Sequence, residues 1–465
     1  MKINRIIDTD SYKSSHFLQY PPNTTLVHSY LESRGSERDY QETVFFGLQY
    51  ILQNYFAEPI TLDEIEEANE VIPAHGLAFP DQQWKRLLEK HGGRLPLRIR
   101  AVSEGSVVPL HNALMTIENT DPEFYWLVSW FETQLMRIWY PITVATQSFY
   151  LRRLIYQFLN ETADDADSET AFKLHDFGSR GVSSQESAAI GGAAHLLSFM
   201  GSDTMAALVL MRKFYHAEMA AFSIPAAEHS TITSWGRDHE RDAYRNMLNQ
   251  FAKPGKIVAV VSDSWNIYNA VEKIWGEELR QEVVDSGATV VIRPDSGEPV
   301  EVVTKVTQIL ADKFGTTTNL KGFRVLKNVR IIQGDGVNPD SIRAILESLK
   351  ANGFSASNIA FGMGGALLQK VNRDTLQFAY KCSAITVDGE LRDVYKQPIT
   401  DAHKTSKKGR LDLVRTATGE YQTVRLPDAD TVALPETAMQ TAFENGAVLI
   451  DAPLTAIRQK IIAAF

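Results

Sequence analysis

The chain has 465 residues, of which 44% are hydrophobic and 22% charged, and its formal net charge is −10. This length and composition predict a globular protein of two or three domains. The acidic balance disfavours nucleic acid or an anionic membrane as partner, because such binding needs a basic face. The single cysteine, Cys382, excludes an intrachain disulfide. Without a signal peptide or an apolar stretch long enough to cross a bilayer, we expect a cytoplasmic protein.

The first third of the chain shows mixed patterns. Thr61 and Glu64 have the spacing of a capping box that opens a short helix. Residues 95–118 alternate apolar and polar side chains between turn residues, which predicts a meander of antiparallel strands. Asp121 and Pro122 resemble an N-cap and a first helical position, and the apolar region after them predicts a long helical segment.

From about residue 172 the pattern changes to short apolar runs that end abruptly in Gly, Asp, Ser or Arg. Such runs occupy residues 172–181, 257–264, 289–297, 329–337 and 358–365. Helix-like stretches separate them, and the later spacings are typical of strand–helix–strand units. Continuous rather than alternating apolarity indicates strands buried on both faces, hence a parallel sheet. We therefore predict a β/α barrel, with a doubly wound open sheet as the alternative.

Strand-like runs return after about residue 376, which predicts a second, discontinuous domain that flanks the barrel. The predicted segments are 1–165 and 376–465 for this mixed α+β domain, and 166–375 for the barrel that carries the active site.

Polar and glycine residues cluster where the predicted barrel strands end. Any one aspartate there could be a helix N-cap, but several strand ends in register favour a site. Arginine binds phosphate through a rigid fork, and aspartate accepts from sugar hydroxyls, so we expect a phosphorylated sugar as substrate. This strand-end set is Asp176, Arg180, Asp263, Arg293, Asp295, Asp335, Gly364 and Gly365.

The glycine-rich turn at 361–365 precedes a predicted helix, where backbone N–H groups could approach a phosphate. A simple tight turn is the alternative, and the spacing fits neither a dinucleotide fingerprint nor a P-loop.

Two further features suggest chemistry. His229 lies between Glu228 and Ser230 and is either catalytic or structural, whereas the spacing of a transition-metal site or a serine hydrolase is missing. The basic run 403–410 is either a solvated loop or, with cations upstream of it, a phosphate clamp that faces a neighbouring subunit. These upstream cations are Arg373, Lys381 and Lys396.

Longer motifs carry a resemblance to a known family. They include TDSYKSSHFLQYPPNT at 9–24, KLHDFG at 173–178, PAAEHSTIT at 225–233, VIRPDSG at 291–297, QGDG at 333–336 and SKKGRLDLVRT at 406–416. Together they resemble the nicotinamide phosphoribosyltransferases, of the type II phosphoribosyltransferase family, over nearly the whole chain. The resemblance implies an irregular β/α barrel plus a mixed α+β domain from both chain ends. It also implies a homodimer with active sites at the subunit interface.

The implied reaction is a glycosyl transfer in NAD salvage. Nicotinamide and phosphoribosyl pyrophosphate give nicotinamide mononucleotide and pyrophosphate, with Mg²⁺ bound mainly through the diphosphate. The resemblance assigns catalysis to His229, Asp263 and Asp295, with Asp263 orienting a His229 that ATP phosphorylates.

The resemblance also assigns the binding residues. Phe177 and Tyr12, the latter from the second subunit, would stack on the two faces of the pyridine, while Asp203 accepts from its amide and would repel nicotinic acid. Arg293, Asp295, Gly334 and Asp335 would hold the ribose and the carboxamide end, and Gly364 and Gly365 the 5′-phosphate. The implied cations around the phosphates are Arg180, Arg373, Lys381, Lys396 and Lys404.

Three departures from the animal enzymes of this family concern phosphate binding. Ala379 replaces a serine, Met363 replaces a small residue in the glycine turn, and the stretch between Arg34 and Thr43 is shorter. We expect them to change phosphate affinity or coupling to ATP, and not the class of reaction. The alternatives are a nicotinate phosphoribosyltransferase, another phosphosugar barrel enzyme, and a non-catalytic binding protein on the same scaffold.

Overall fold

The computed structural model describes residues 4–400, 405–427 and 436–465. The chain divides into two compact units. The first comprises Met1–Thr146, Lys213–His216 and Asn372–Ala464; the second comprises Gln147–Arg212, Ala217–Val371 and Phe465. The first unit is therefore built from both chain ends, and the main boundaries follow residues 146 and 371, where the sequence suggested 165 and 375. No helix in the described ranges is both long and apolar enough to span a membrane.

The N-terminal segment supplies short strands and several helices. Its strands are β1 (Thr24–Ser33), β2 (Glu42–Val44), β3 (Leu97–Val102), β4 (Val107–Pro109) and β5 (Ala113–Asn119). Its helices are α1 (Leu48–Ile51), α2 (Leu62–Ala74), α3 (Asp81–His91), α4 (Leu127–Trp130), α5 (Glu132–Met136) and α6 (Trp139–Thr162), the last of which continues into the second unit.

The capping box is confirmed, because the Glu64 amide donates to Thr61 Oγ1 at 3.2 Å and the Thr61 amide donates to Glu64 Oε2 at 2.9 Å. Asp121 also caps as predicted, by accepting from the Glu123 amide at 3.0 Å. The region predicted to be helical after it is helical, but it is divided into a 3₁₀ turn followed by α4, α5 and α6. Pro141 accounts for the last break, because proline is accommodated only in the first turn of a helix.

The second unit contains a parallel sheet. Its strands are β6 (Leu174–Asp176), β7 (Gly201–Ser202), β8 (Ile257–Val261), β9 (Thr289–Arg293), β12 (Val329–Gln333) and β13 (Ile359–Met363), and a separate hairpin joins β10 (Thr316–Thr318) to β11 (Arg324–Leu326). The order in the sheet is β7-β6-β13-β12-β9-β8. All five apolar runs identified in the sequence are strands of this sheet, which confirms the prediction.

Residues 222–227 connect the two edge strands of this sheet. The Ser202 amide of β7 donates to Phe222 O at 3.2 Å, and the Ala227 amide donates to Ala259 O of β8 at 3.0 Å. The sheet therefore curves into an irregular barrel, as the sequence predicted, and the doubly wound open sheet is wrong.

Helices surround the barrel and bury apolar stripes. They are α7 (Ala166–Thr170), α8 (Gln185–His195), α9 (Met205–Phe214), α10 (His229–Thr233), α11 (Glu240–Phe251), α12 (Ile267–Asn269), α13 (Arg280–Ser286), α14 (Pro299–Phe314), α15 (Pro339–Ala351) and α16 (Gly365–Leu368), with a π-helical segment at Ala270–Glu278. On α14, for example, Val303, Val306 and Leu310 are fully buried. Each such side chain contributes roughly 1.5–3 kcal/mol when it leaves water, which fixes the helix on the barrel.

The C-terminal segment completes the first unit. It adds β14 (Phe378–Val387), β15 (Glu390–Asp393), β16 (Leu411–Arg415), β17 (Tyr421–Arg425), β18 (Met439–Glu444), β19 (Ala447–Val448) and α17 (Leu454–Ala463). An antiparallel sheet of order β15-β14-β1-β5-β3-β18-β19 interleaves strands of both chain ends. The predicted meander is only partly present, because β3 pairs with β5 while β4 pairs with β2 in a separate sheet.

A buried carboxyl group in the first unit makes stability depend on pH. Glu104 Oε1 accepts from the backbone amides of Gly47 and Gln49 at 3.0 and 2.8 Å and from the Tyr215 hydroxyl at 3.4 Å. Burial outweighs these bonds and raises the pKa of Glu104 to about 7. A carboxyl group that holds its proton more tightly in the folded than in the unfolded chain stabilises the fold at low pH, and this contribution is lost as the pH rises through about 7.

The free energy of unfolding of the wild type should therefore fall by on the order of 3 kcal/mol between about pH 5 and pH 8. Glu104→Gln, whose side chain carries no charge, should not show this fall. Urea unfolding of the wild type and the variant across this range measures the difference. The exposed Glu66→Gln provides the control and should leave the pH profile unchanged. If Glu104→Gln keeps the wild-type profile, Glu104 does not titrate as described.

Candidate active site

The chemistry-bearing residues of the second unit gather at one rim of the barrel. Parallel strands present their carboxyl ends at the same edge, so the residues that follow β6, β8, β9, β12 and β13 are neighbours. This rim carries Phe177, Arg180, Asp203, His229, Asp263, Arg293, Asp295, Gly334, Asp335, Gly364 and Gly365. The structure thus brings together the site residues that the sequence placed in the barrel, while the roles predicted for them remain predictions.

His229 and Asp263 form a hydrogen-bonded pair. His229 is the first residue of α10, and its Nε2 lies 2.9 Å from Asp263 Oδ1. The Asp263 side chain is 3% exposed and that of His229 46% exposed, so the carboxylate is enclosed behind the imidazole. Ser296 holds Asp263 from the other side, since its hydroxyl donates to Oδ2 at 2.5 Å. A carboxylate only accepts, so Nε2–H donates to Asp263, and in the neutral form of the ring the lone pair is on Nδ1.

Asp295 lies in an acidic group at the ends of β9 and β12. Burial raises its pKa, Arg293 lowers it, and the charges of Asp263 and Asp335 raise it further, with a net rise. Arg293 Nε is 3.7 Å from Asp295 Oδ1. A Cβ on Gly334 would lie 2.9 Å from that same oxygen, so glycine leaves Asp295 its place. This part of the rim can stabilise positive charge on a bound group.

Asp203 is the first residue after β7. Its Oδ1 accepts from the Ser223 hydroxyl at 2.5 Å, and within the described ranges it forms no ion pair. Its side chain therefore bonds to Ser223, whereas its backbone oxygen accepts from the Met205 amide at 3.1 Å. Burial lowers the pKa of the nearby His175 by more than Asp203 raises it, so this imidazole is neutral at neutral pH.

Asp176 belongs to the predicted strand-end set, but it is fully buried. Its carboxylate accepts from the Gly178 amide at 2.7 Å and from the Ser202 hydroxyl at 3.3 Å, and its backbone oxygen accepts from the Asp203 amide at 3.0 Å. Because these bonds join the segments after β6 and β7, Asp176 connects the segment of Phe177 to that of Asp203. Burial raises the pKa of Asp176.

The barrel also holds an apolar cavity of about 390 Å³, which reaches the first residues of β8, β9 and β13. His175, Ser223 and Ile224 line it, together with Val291 and Ile332 of the barrel strands. The last two form a cluster with Ala259 against which Phe177 and Ile224 pack. The sequence motifs did not single out His175, Ser223 or Ile224, although His175 lies two residues before Phe177 and the other two immediately precede the PAAEHS motif.

The predicted phosphate-binding cations of the first unit lie together. Arg373, Lys381 and Lys396 line a cavity of about 580 Å³ with Arg34 and His111, which sequence analysis missed. Ala379, one of the three departures described above, lines it as well. Three carboxylates also line it, namely Glu37, Glu132 and Asp374.

Two cations of this cavity have unusual surroundings. Burial lowers the pKa of Lys381, and the charges of Arg34, Lys396 and Lys13 lower it while Glu132 raises it. Arg34 Nη2 is buried without a hydrogen-bond partner in the part of the chain that the structure describes.

The remaining predicted residues are placed as follows. Tyr12 belongs to the first unit and is 58% exposed. Lys404 lies outside the described residues. Met363 is fully buried at the end of β13. Gly364 and Gly365 begin the short helix α16 as the sequence suggested, and Gly181 beside Arg180 approaches them, since its Cβ would lie 3.4 Å from Gly365 Cα.

Solved structures share this fold at low sequence identity. Nicotinate-nucleotide pyrophosphorylase from Pyrococcus furiosus superposes with a TM-score of 0.64 at 15% identity, covering 100% of this chain and 96% of that one. Human nicotinic acid phosphoribosyltransferase superposes with a TM-score of 0.55 at 16% identity, covering 98% and 93%. The fold is therefore that of the barrel phosphoribosyltransferases.

Sequence comparison gives the family. The model of the nicotinate phosphoribosyltransferase (NAPRTase) family matches residues 172–447, and that of the nicotinamide phosphoribosyltransferase N-terminal domain matches residues 4–99. A nicotinamide phosphoribosyltransferase of Xanthomonas campestris is 55% identical over 463 residues, which covers 99% of this chain and 98% of that protein. One of Acinetobacter baylyi is 31% identical, with 99% and 97% covered. The chain belongs to the nicotinate phosphoribosyltransferase family.

Proposed function

We propose that the chain transfers phosphoribosyl from phosphoribosyl pyrophosphate to nicotinamide, giving nicotinamide mononucleotide and pyrophosphate in NAD salvage. Both relatives described above carry the name of this activity over nearly the full length of the chain. The family also contains enzymes named for the acid, so the identity of the pyridine must come from the site. The observation that favours nicotinamide over nicotinic acid is the carboxylate of Asp203, whose negative charge is not paired with a cation among the described residues.

The surroundings of Asp203 favour an amide. Ser223 donates a hydrogen bond to it but brings no positive charge, and His175 is neutral at neutral pH. A pyridine carboxylate would meet a charge of its own sign there. The amide N–H of nicotinamide can instead donate to the carboxylate, and a hydrogen bond to a charged acceptor contributes about 1.5–3 kcal/mol.

The rest of the rim suits the transfer itself. Phe177 offers an aromatic face to the pyridine ring. Departure of pyrophosphate builds positive charge on the ribose carbon, which Asp295 would stabilise, and negative charge on the leaving group, which cations such as Arg180 would stabilise. The Gly364 and Gly365 amides would hold the 5′-phosphate at the start of α16.

Mg²⁺ would enter as part of the substrate. Diphosphate oxygens are hard ligands of the kind that Mg²⁺ prefers, and the ion keeps several waters. In the described ranges no group of three or more His, Cys, Asp or Glu side chains forms a metal site. The ion would neutralise the diphosphate as it leaves.

A second copy of the chain would complete the site in a homodimer. Tyr12 is exposed and would cover the open face of the pyridine, and the cavity with Arg373, Lys381 and Lys396 would bind phosphate groups. Exposed apolar side chains on the second unit, such as Met205 and Val209 of α9, are available for such an interface. The expected compartment is the cytoplasm.

ATP would act as an optional co-substrate through His229. Because Nε2 faces Asp263, Nδ1 would attack the γ-phosphorus, ADP would leave, and the carboxylate would stabilise the positive charge of the ring. The imidazole is exposed whereas Asp263 is enclosed, so ATP could reach the ring from the solvent side.

Turnover of the two pyridines tests the proposal directly. With phosphoribosyl pyrophosphate and Mg²⁺ supplied, nicotinamide should be converted to its mononucleotide with a much higher kcat/KM than nicotinic acid. Chromatography of the products measures both rates. A preference for the acid would contradict the assignment.

Asp203→Asn should reduce the preference for nicotinamide over nicotinic acid by roughly tenfold to a hundredfold, because it removes both the charged acceptor and the repulsion of the acid. The ratio of the two kcat/KM values is the measurement. Asp285→Asn, on the exposed surface of α13, is the matched control and should leave the ratio unchanged. An unaltered ratio in Asp203→Asn would refute the selectivity role.

His229→Ala should eliminate the transfer of label from γ-labelled ATP to the protein and should lower turnover, because the acceptor nitrogen is lost. Acid-labile incorporation of the label and the initial rate are measured in parallel. His239→Ala, which removes an exposed histidine at the start of α11, should retain the label. Label on His229→Ala would show that another residue accepts the phosphate.

A further inference from the structure

Gly362 is a residue of the glycine-rich turn region that the proposed roles leave unexplained. It lies in β13, opposite His175 of β6, and its φ is outside the left-handed region. Its backbone conformation is therefore open to any residue. The steric surroundings are different, because a Cβ on Gly362 would overlap Cε2 and Cδ2 of Phe177 and would lie 2.8 Å from Cζ. Glycine is required here by the aromatic ring.

The ring has little freedom to yield to a side chain. The Phe177 amide donates to Met363 O at 3.1 Å, and the next amide, of Gly178, donates to Asp176 at 2.7 Å. The backbone on both sides of the ring is thus fixed to buried partners. A Cβ on Gly334 would lie 3.8 Å from Phe177 Cε2, so glycine at 334 also leaves room beside the ring. A methyl group at 362 would have to displace the ring from β13.

The other two glycines of this turn serve a different need. A Cβ on Gly364 would make an ordinary contact of 3.5 Å with Phe177 O, and one on Gly365 would meet nothing within 4 Å. Neither of them determines the position of the ring. Among these three glycines, Gly362 alone is in steric conflict with the Phe177 side chain.

We propose that Gly362 is a positioning residue for the planar aromatic amide: by having no side chain, it lets the Phe177 ring lie against β13 and so sets the width of the slot for the pyridine. The inference rests on the proposed function, because it assumes that Phe177 forms one wall of this slot. Gly362 itself contacts no substrate and acts only through the ring. Pyridine binding would then depend on a residue within a barrel strand as well as on residues at the rim.

Gly362→Ala should raise the KM for nicotinamide by roughly tenfold or more, because the displaced ring narrows the slot. The KM for phosphoribosyl pyrophosphate should change little, whereas the crowding of the ring should lower the Tm. Calorimetric titration with nicotinamide alone should show the same loss of affinity. A purely structural role would lower the Tm and leave these two nicotinamide measurements unchanged, which would overturn the proposal.

A double-mutant cycle with Phe177→Ala tests whether the effect passes through the ring. In the Phe177→Ala background the clashing atoms are gone, so adding Gly362→Ala should alter nicotinamide binding by less than about twofold. An undiminished effect of Gly362→Ala in that background would overturn the proposal. If Gly362→Ala alone does not fold, the comparison is made between Phe177→Ala and Phe177→Ala with Gly362→Ala, where further loss of nicotinamide affinity would overturn it.

Failure of the proposed function gives a separate result. A wild-type protein that binds nicotinamide in the calorimeter but makes no mononucleotide refutes the proposed reaction. The double-mutant cycle can then still be evaluated from the affinities of the variants for nicotinamide. A wild-type protein that makes the mononucleotide, with nicotinamide binding unaffected by Gly362→Ala, refutes only the positioning role.

Discussion

The enclosed carboxylate of Asp176 is the interaction on which the geometry of the pyridine site depends. It is fully buried at the end of β6, and it accepts from the Gly178 amide in the segment after β6 and from the Ser202 hydroxyl at the end of β7. A buried polar group that lost these partners would be costly, so the two segments are held in one arrangement. Phe177 lies on one of them and Asp203 on the other. In the proposed site, one buried residue would therefore position the aromatic wall and the amide acceptor relative to each other.

The opposite side of the rim uses its carboxylates differently. Asp263 is enclosed and has hydrogen bonds from both His229 and Ser296, which orients the imidazole. Asp295 stands beside Arg293 and is surrounded by further acidic charge, which together with burial raises its pKa. Asp263 therefore orients the imidazole, whereas Asp295 is available to a ligand. This difference follows from their partners and not from their residue type.

The sequence predicted the barrel because its strands are buried on both faces and end in polar residues. It did not predict residues 222–227, which connect β7 to β8 by only a few backbone bonds. Pro225 in this segment lacks an amide hydrogen and so argues against a strand, and the segment has no continuous apolar run that would indicate one. The break of the long helix before Pro141 was predictable in principle, whereas the order of strands in the sheet depends on long-range packing.

The candidate site was predictable to a similar extent. Motifs identified Phe177, Asp203, His229 and Asp263, and strand ends placed several of them at one rim. They did not distinguish Asp176, which is buried, from the aspartates that face the rim, because both kinds end a strand. The partners Ser223 and Ser296 were also missed, since serine is common in loops and its role depends on which side chain it reaches.

The choice of serine as the partner of Asp203 bears on selectivity. A lysine or arginine at position 223 would orient the carboxylate equally well but would cancel its charge, and a pyridine carboxylate would then be tolerated. A hydroxyl fixes the orientation by hydrogen bonding and leaves the charge in place. The carboxylate retains further lone pairs that can accept from an amide. With neutral partners, Asp203 in its proposed role would both accept from the amide and repel the acid.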